Sequence, residues 1–218
     1  METRLVLASV APLSDPALFA RGLAQVSEQR REKIARFRAE GAKRLSLGAA
    51  LLLNRLLAGE GLPPAGAFAF GPEGKPYLPG RPGLHFSLSH SGELVLCALS
   101  DAELGCDVEG PRRSNPALVQ RFFHPDEQQW LFSLPQGEQD AAFLRLWTLK
   151  ESYVKAVGLG LTLPLDSFCI LPEAEGYSLT QQTEPRRWKL ESFQAEDCVC
   201  SVCAPDPPHK LERCPLLA

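Results

Sequence analysis

Apolar and polar positions change period several times along the chain, and each change marks an element. Residues 3–10, TRLVLASV, alternate in the manner of a strand. Ser27 stands as N-cap before a helix to about residue 38, with Ile34 and Phe37 on its apolar side and Gly41 as its expected break. A second helix over about 42–58 carries Leu45, Leu47, Ala49, Leu52, Leu53, Leu56 and Leu57, too many for one face, which predicts burial on most sides. GLPPAG (61–66) reads as a linker, and FAFGPEGKPYL (68–78) as a short strand, a Gly/Pro turn and an extended return. LHFSLS (84–89) and LVLCALS (94–100) read as a hairpin with His90-Ser91-Gly92-Glu93 at its tip, and ELGCDVEG (103–110) as one more strand.

Beyond Pro111 the period turns helical. Asn115 as N-cap and Pro116 at the first position open NPALVQRFF; PDEQQWLFSL follows, then a long helix over about 138–157 closed by Gly158. Strands return near 167–171, 177–181, 187–194 and 197–203, and the Pro-rich tail after Pro205 is expected to be loose. Each half thus offers a strand, helices and several strands, with no sequence repeat between them. The fold expected is α+β, two similar lobes side by side, divided as 1–103 and 104–218.

A chain of 218 residues with 44% hydrophobic and 22% charged content can bury a real core and has a globular balance. Its longest apolar run, LGAALLLNRLLAG (47–59), is cut by Asn54 and Arg55, so no membrane span is expected. METRLVLASV carries Glu2 and Arg4 and no signal-peptide pattern. Seven cysteines, an odd number in a chain too long to need staples, point to free thiols and a cytoplasmic location. A net charge of −3 argues against a general nucleic-acid binder. Residues 30–44 nevertheless hold seven Lys/Arg against two Glu, either a solvated helix face or the seat of an anionic partner.

Four stretches could carry chemistry. In a strand, Asp107 and Glu109 project from one face, as a solvated edge or as oxygen ligands for a cation such as Mg²⁺. On the long helix Glu151 and Lys155 are neighbours, as a surface ion pair or as an acid and a cation at a site. His90, between two serines, either caps its turn or helps bind an anion; adjacency in sequence does not make a Ser-His catalytic pair. Lys75 sits in a rigid Gly/Pro turn, solvated or aimed at phosphate. CVCSVCA (198–204) reads as a strand rather than a zinc site, since no second C-x-x-C stands at zinc-ribbon spacing.

Taken together, GKPYL (74–78), FSLSHSG (86–92), LGCDVE (104–109) and WTLKESYVKAVGLGL (147–161) resemble the motifs of the 4′-phosphopantetheinyl transferase superfamily, in its larger, monomeric, Sfp-type branch. The resemblance runs from about residue 27 to 171. It implies two α+β lobes related by a pseudo-two-fold, with coenzyme A as co-substrate and Mg²⁺ (Mn²⁺ as the alternative) in the cleft between them. The implied activity is transfer of 4′-phosphopantetheine from coenzyme A to a serine of an apo acyl or peptidyl carrier protein, releasing adenosine 3′,5′-bisphosphate. Asp107, Glu109 and Glu151 then match the metal-binding acids, and Lys155 the lysine at the phosphate. Arg30, Lys33, Arg44, Lys75, Ser89 and His90 match coenzyme A contacts. Glu127 falls where the family often has a further acid near the metal. Glu151, directly or through a water, is the candidate base for the carrier serine, with Lys155 beside the leaving oxygen. An acidic carrier would dock on Arg112, Arg113 and Arg121 with Leu118 and Phe122, one of Phe122 and Phe123 being core. A non-catalytic binder of coenzyme A or of a carrier protein, and a nucleic-acid module built on 30–44, are the competing readings.

Overall fold

The computed structural model describes residues 1–66, 68–182 and 185–217. The chain begins with β1 (Arg4–Ser9), both of whose faces are buried: Val6 and Ala8 point into one core, Leu5 and Leu7 into another. Helix α1 (Pro16–Leu23) follows, unforeseen from its short apolar run, although Asp15-Pro16 is a recognisable start. The Asp15 carboxylate accepts from the Ala17 and Leu18 amides, and Pro16 occupies the first turn. Helix α2 (Glu28–Ala35) is capped by the Ser27 hydroxyl. The break before α3 (Glu40–Gly59) falls at 36–39, and Gly41 lies inside the first turn of α3 rather than between the helices. Leu47, Leu52, Leu53, Leu56 and Leu57 of α3 are buried together with Phe86, Val95, Cys97 and Leu99.

A small ribbon of β2 (Ala69–Phe70) and β3 (Pro76–Tyr77) leads to β4 (His85–Ser91) and β5 (Leu94–Ser100). These two form a tight hairpin in which His90 pairs opposite Val95. His90 is therefore a strand residue, not a tip residue. The turn is Gly92-Glu93 alone, and Gly92 takes φ +57°, a conformation glycine adopts without steric cost.

The second half supplies β6 (Gly105–Glu109), α4 (Pro116–Phe122), α5 (Pro125–Ser133), α6 (Gln136–Val157), a hairpin of β7 (Cys169–Pro172) and β8 (Tyr177–Thr180), then β9 (Lys189–Ala195), β10 (Cys198–Ala204) and β11 (Glu212–Arg213). Gly158 ends α6 in the left-handed region at φ +80°. Two main sheets result, in the orders β11-β1-β5-β4 and β6-β10-β9. Helix α3 packs with the first and α6 with the second, while Leu5, Leu7, Leu96 and Ala98 meet Cys106, Val108, Cys200 and Val202 in a third core between them. The fold is α+β. Cys198, Cys200 and Cys203 lie in β10 and are buried as free thiols.

The tail is not loose. Strand β11 pairs parallel with β1, Leu216 is buried in the first core, and the Pro215 carbonyl accepts from Arg55. Arg4 holds Glu212 through two hydrogen bonds, of 3.2 and 2.8 Å. A division at residue 103/104 therefore cannot separate the sheets cleanly, because the last residues return to the first one. Among the described residues no helix is long and apolar enough to cross a membrane.

Candidate active site

The acid strand and the long helix touch because one side chain is missing. A Cβ on Gly105 would stand 2.1 Å from the Ser152 carbonyl oxygen and 2.3 Å from the Ala156 nitrogen, so only glycine lets the α6 backbone lie directly on β6. That contact brings Glu151 and Lys155, one turn apart on α6, to Asp107 and Glu109, which share one face of β6.

Lys155 Nζ donates to Asp107 Oδ1 at 2.6 Å and to Ser89 Oγ at 3.1 Å, and Ser89 donates to the same Asp107 oxygen at 2.7 Å. Burial, the largest single influence, would lower the Lys155 ammonium, but the charge and hydrogen bond of Asp107 together with the nearby Cys106 and Glu151 outweigh it and raise the pKa, so the side chain is cationic across the neutral range. Burial raises the Glu151 carboxyl, and the charges of Asp107 and Glu109 add to that against the pull of Lys155. The three acids thus feel one another's charge beside Lys155, although among the described residues the His/Cys/Asp/Glu group whose ligand atoms all lie within 4.8 Å of one another is His124, Asp126 and Cys169. Asp107 is only 5% exposed, yet its Oδ2 is buried without a hydrogen bond, a costly arrangement unless something positive takes that oxygen. An all-oxygen donor set with an orphaned carboxylate oxygen fits a hard divalent cation.

Glu151 and Lys155 form part of the wall of a cavity of about 520 Å³. Its other walls include Gly74 and Lys75 from the β2–β3 turn, Phe86 and Leu88 from β4, Phe122 from α4, Val154 from α6, and Leu163 and Pro164 beyond α6. A mostly apolar hollow with charged groups contributed by several elements suits an organic ligand carrying an anionic group.

Of the predicted basic residues Lys75 and Lys155 line this cleft, the others lie elsewhere, and not all are free. The Arg30 guanidinium lies 4.2 Å from the centre of the Phe68 ring, and the Lys33 ammonium 5.8 Å from that of Phe70. Burial lowers the pKa of both, with the Arg30 charge adding to the effect on Lys33. Together with Ser27 and Gly66 they line a smaller hollow of about 100 Å³. Arg44 reaches Glu93 at 3.4 Å while its Nε is buried and unpaired. Lys75 is tied to Glu103 and donates to the Ala156 carbonyl at 2.8 Å, near the end of α6. Its stem lies on Gly158, where a Cβ would come within 2.8 Å of Lys75 Cδ. Glu103 also meets His85 Nδ1 at 3.3 Å. No motif marks Glu103, and its role in holding Lys75 depends on a meeting of distant segments. His90 is exposed on β4.

Glu127 is not near the acid cluster. It is fully buried and accepts both 2.7 Å hydrogen bonds from the equally buried Lys150, together with the amides of His124 and Ile170. The Lys150 ammonium also donates to the Phe168 carbonyl and lies 4.1 Å from the Phe168 ring centre. Burial disfavours both charges, raising the Glu127 carboxyl and lowering the Lys150 ammonium against their mutual attraction. This pair joins α5, α6 and β7, so it is a structural tie; Lys150 and Glu151 are adjacent in sequence but serve opposite sides of one helix. Of the suggested docking residues, Arg112, Arg113 and Arg121 are exposed, while Leu118 and Phe122 are half-buried. Phe123 is the core member of its pair, stacked 5.7 Å from Phe143.

An acid–lysine cluster on an organic-sized cleft also lined by Lys75 and Arg121 suits an enzyme of group transfer at phosphate. The chain belongs to the 4′-phosphopantetheinyl transferase superfamily. The superfamily's sequence profile matches residues 103–203. A 4′-phosphopantetheinyl transferase of Bacillus subtilis is 36% identical over 193 residues, covering 86% of this chain and 85% of its own. The 4′-phosphopantetheinyl transferase HetI of Nostoc sp. is 35% identical over 75% of this chain and 71% of its own. Among solved structures, a holo-(acyl-carrier-protein) synthase from Bacillus anthracis in complex with CoA (3′,5′-ADP) is 18% identical over 47% of this chain and 94% of its own, with a TM-score of 0.42.

Proposed function

We propose that the cleft performs the transfer as follows, with coenzyme A seated across it and the carrier protein at its mouth. The chain is a 4′-phosphopantetheinyl transferase: it moves the 4′-phosphopantetheine arm from coenzyme A to a serine hydroxyl of an apo carrier protein. The serine oxygen bonds to the phosphorus on the pantetheine side of the pyrophosphate. The bond from that phosphorus to the bridging oxygen breaks, and adenosine 3′,5′-bisphosphate leaves.

The observation that supports the residue roles is the convergence of Glu151 and Lys155 on Asp107, whose second oxygen is left bare. Glu151, on the wall of the cleft, would take the serine proton, directly or through a water. Lys155, kept cationic by Asp107, neutralises charge on the pyrophosphate oxygens. Asp107, Glu109 and Glu151 would hold Mg²⁺, which when bound supplies further positive charge at those oxygens. Arg30, Lys33, Arg44, Lys75 and His90 would share contacts to the pyrophosphate and the 3′-phosphate, Arg44 and Lys75 after exchanging Glu93 and Glu103 for them. The carrier would dock on the exposed Arg112, Arg113 and Arg121 beside Leu118 and Phe122, since Arg121 and Phe122 also line the cleft. With both half-sites in one chain, the working form is a monomer.

The test is incubation with coenzyme A, Mg²⁺ and a panel of apo carrier proteins, read by mass spectrometry. One phosphopantetheine arm should be added to the carrier; no mass gain with any carrier would sink the reading.

A further inference from the structure

Strands β4 and β6 lie side by side across the cleft seam without sharing a backbone ladder; β6 pairs with β10. Hydroxyls make the connection instead. Ser87, Ser89 and Ser91 alternate on one face of β4, while Phe86 and Leu88 turn the other way into the first core. Ser87 Oγ accepts from the Cys106 amide at 3.0 Å. Ser89 donates to Asp107 at 2.7 Å, and Ser91 donates to Glu109 Oε2 at 3.0 Å while accepting from the Gly110 amide at 3.1 Å. Three successive hydroxyls thus meet successive points along the acid strand.

We propose that Ser91 is a positioning residue that fixes the Glu109 carboxylate and thereby sets the affinity of the acid cluster for a divalent cation. The assignment rests on the proposed cation site. Its argument is one of hydrogen-bond direction. A hydroxyl carries a single proton. The Gly110 N–H can only donate, so the Ser91 oxygen accepts there and its own proton is turned onto Glu109. Lys155 imposes the same order on Ser89, since an ammonium only donates and the Ser89 proton must then serve Asp107. Both serines are therefore locked as donors to carboxylates, from a strand that belongs to the other sheet. Glu109 is half-buried and its side chain has several rotamers to lose; without Ser91 the cation would have to order it unaided. Ser91 also anchors Gly110, the exit of the acid strand, so carboxylate and backbone are held by one group.

The experiment is titration of the full chain with Mn²⁺ alone, free of coenzyme A and carrier, followed by electron paramagnetic resonance of the unbound ion. Loss of such an outer partner typically costs about 10–100-fold in metal affinity, and Ser91→Ala should fall in that range. Ser91→Thr keeps the hydroxyl and should bind Mn²⁺ as the unaltered protein does. Wild-type affinity in Ser91→Ala overturns the assignment. Equal losses in both variants overturn it too, because packing rather than the hydroxyl would then be responsible. If the unaltered protein binds no Mn²⁺, the cation site itself fails and this inference with it, an outcome distinct from the other two.

Discussion

Replacing Gly105 with Ala should drive α6 off β6. The added carbon would stand 2.1 Å from the Ser152 carbonyl oxygen and 2.7 Å from the Lys155 carbonyl carbon. Relief to a carbon–oxygen approach of about 3.3 Å requires the two backbones to part by roughly 1 Å, and neither can rotate out of the way. Overpacking of this kind costs about 1–3 kcal/mol. At about 2–4 °C per kcal/mol for a chain of this size, Tm should fall by roughly 2–12 °C. The same movement carries Glu151 and Lys155 away from Asp107, and a misplacement of about 1 Å can cost about 10²-fold in rate. Thermal unfolding followed by circular dichroism reads the first effect, and kcat/KM for carrier modification, by mass spectrometry at a temperature where the variant is folded, reads the second. Gly137→Ala is the control, because nothing lies within 4 Å of its Cβ position in the first turn of the same helix. It should be neutral or gain up to about 1 kcal/mol, with full activity. A Gly105→Ala protein with unaltered Tm and kcat/KM would refute the idea that this close approach builds the site.

Glu151→Gln should lower transfer by at least about 10²-fold while the protein stays folded, and full activity would reassign the base. In the absence of divalent cation the same change should stabilise the protein at neutral pH. The folded-state pKa of Glu151 is raised from its ordinary 4.5, so its favourable contribution is present below that value and is lost as pH rises through the raised one. Tm curves of the two proteins should converge toward acid and separate toward neutral pH; parallel curves would remove Glu151 from the acid cluster. Lys150→Met should cost about 3–5 kcal/mol by stranding the buried Glu127 charge, and adding Glu127→Gln should recover much of the loss. Unchanged denaturant midpoints in Lys150→Met would deny the pair its structural role. Calorimetric binding of coenzyme A should weaken as salt is raised, because the exposed basic residues proposed to meet its phosphates are screened. A salt-independent affinity would point residues 30–44 to another task.

Much of the site was legible in the sequence because its parts are periodic. Asp107 and Glu109 are two apart in a strand and Glu151 and Lys155 four apart in a helix, so each pair shares a face wherever the element lies. Glu127 misled for the complementary reason: its position in the chain says nothing about which side of α6 it meets, and it faces Lys150 in the core. A four-residue connection and a two-residue turn read alike until strand pairing is known, so the sequence puts His90 at a tip where the fold pairs it with Val95. The tail carries little apolar periodicity, and only the open edge of β1 reveals why it is ordered.

The sequence by itself therefore determined the kind of most elements, α1 excepted, the pairing of chemical groups within each and the family to which the motifs point. The tertiary structure decided which elements meet. Gly105 brings α6 onto β6, Ser87, Ser89 and Ser91 bridge two sheets that share no ladder, Glu103 ties down Lys75, and β11 returns to β1. The division has a physical cause. Backbone periodicity is local and repeats within a few residues, whereas these contacts join segments whose proximity follows only from burying the apolar faces of α3, α6 and the two sheets together.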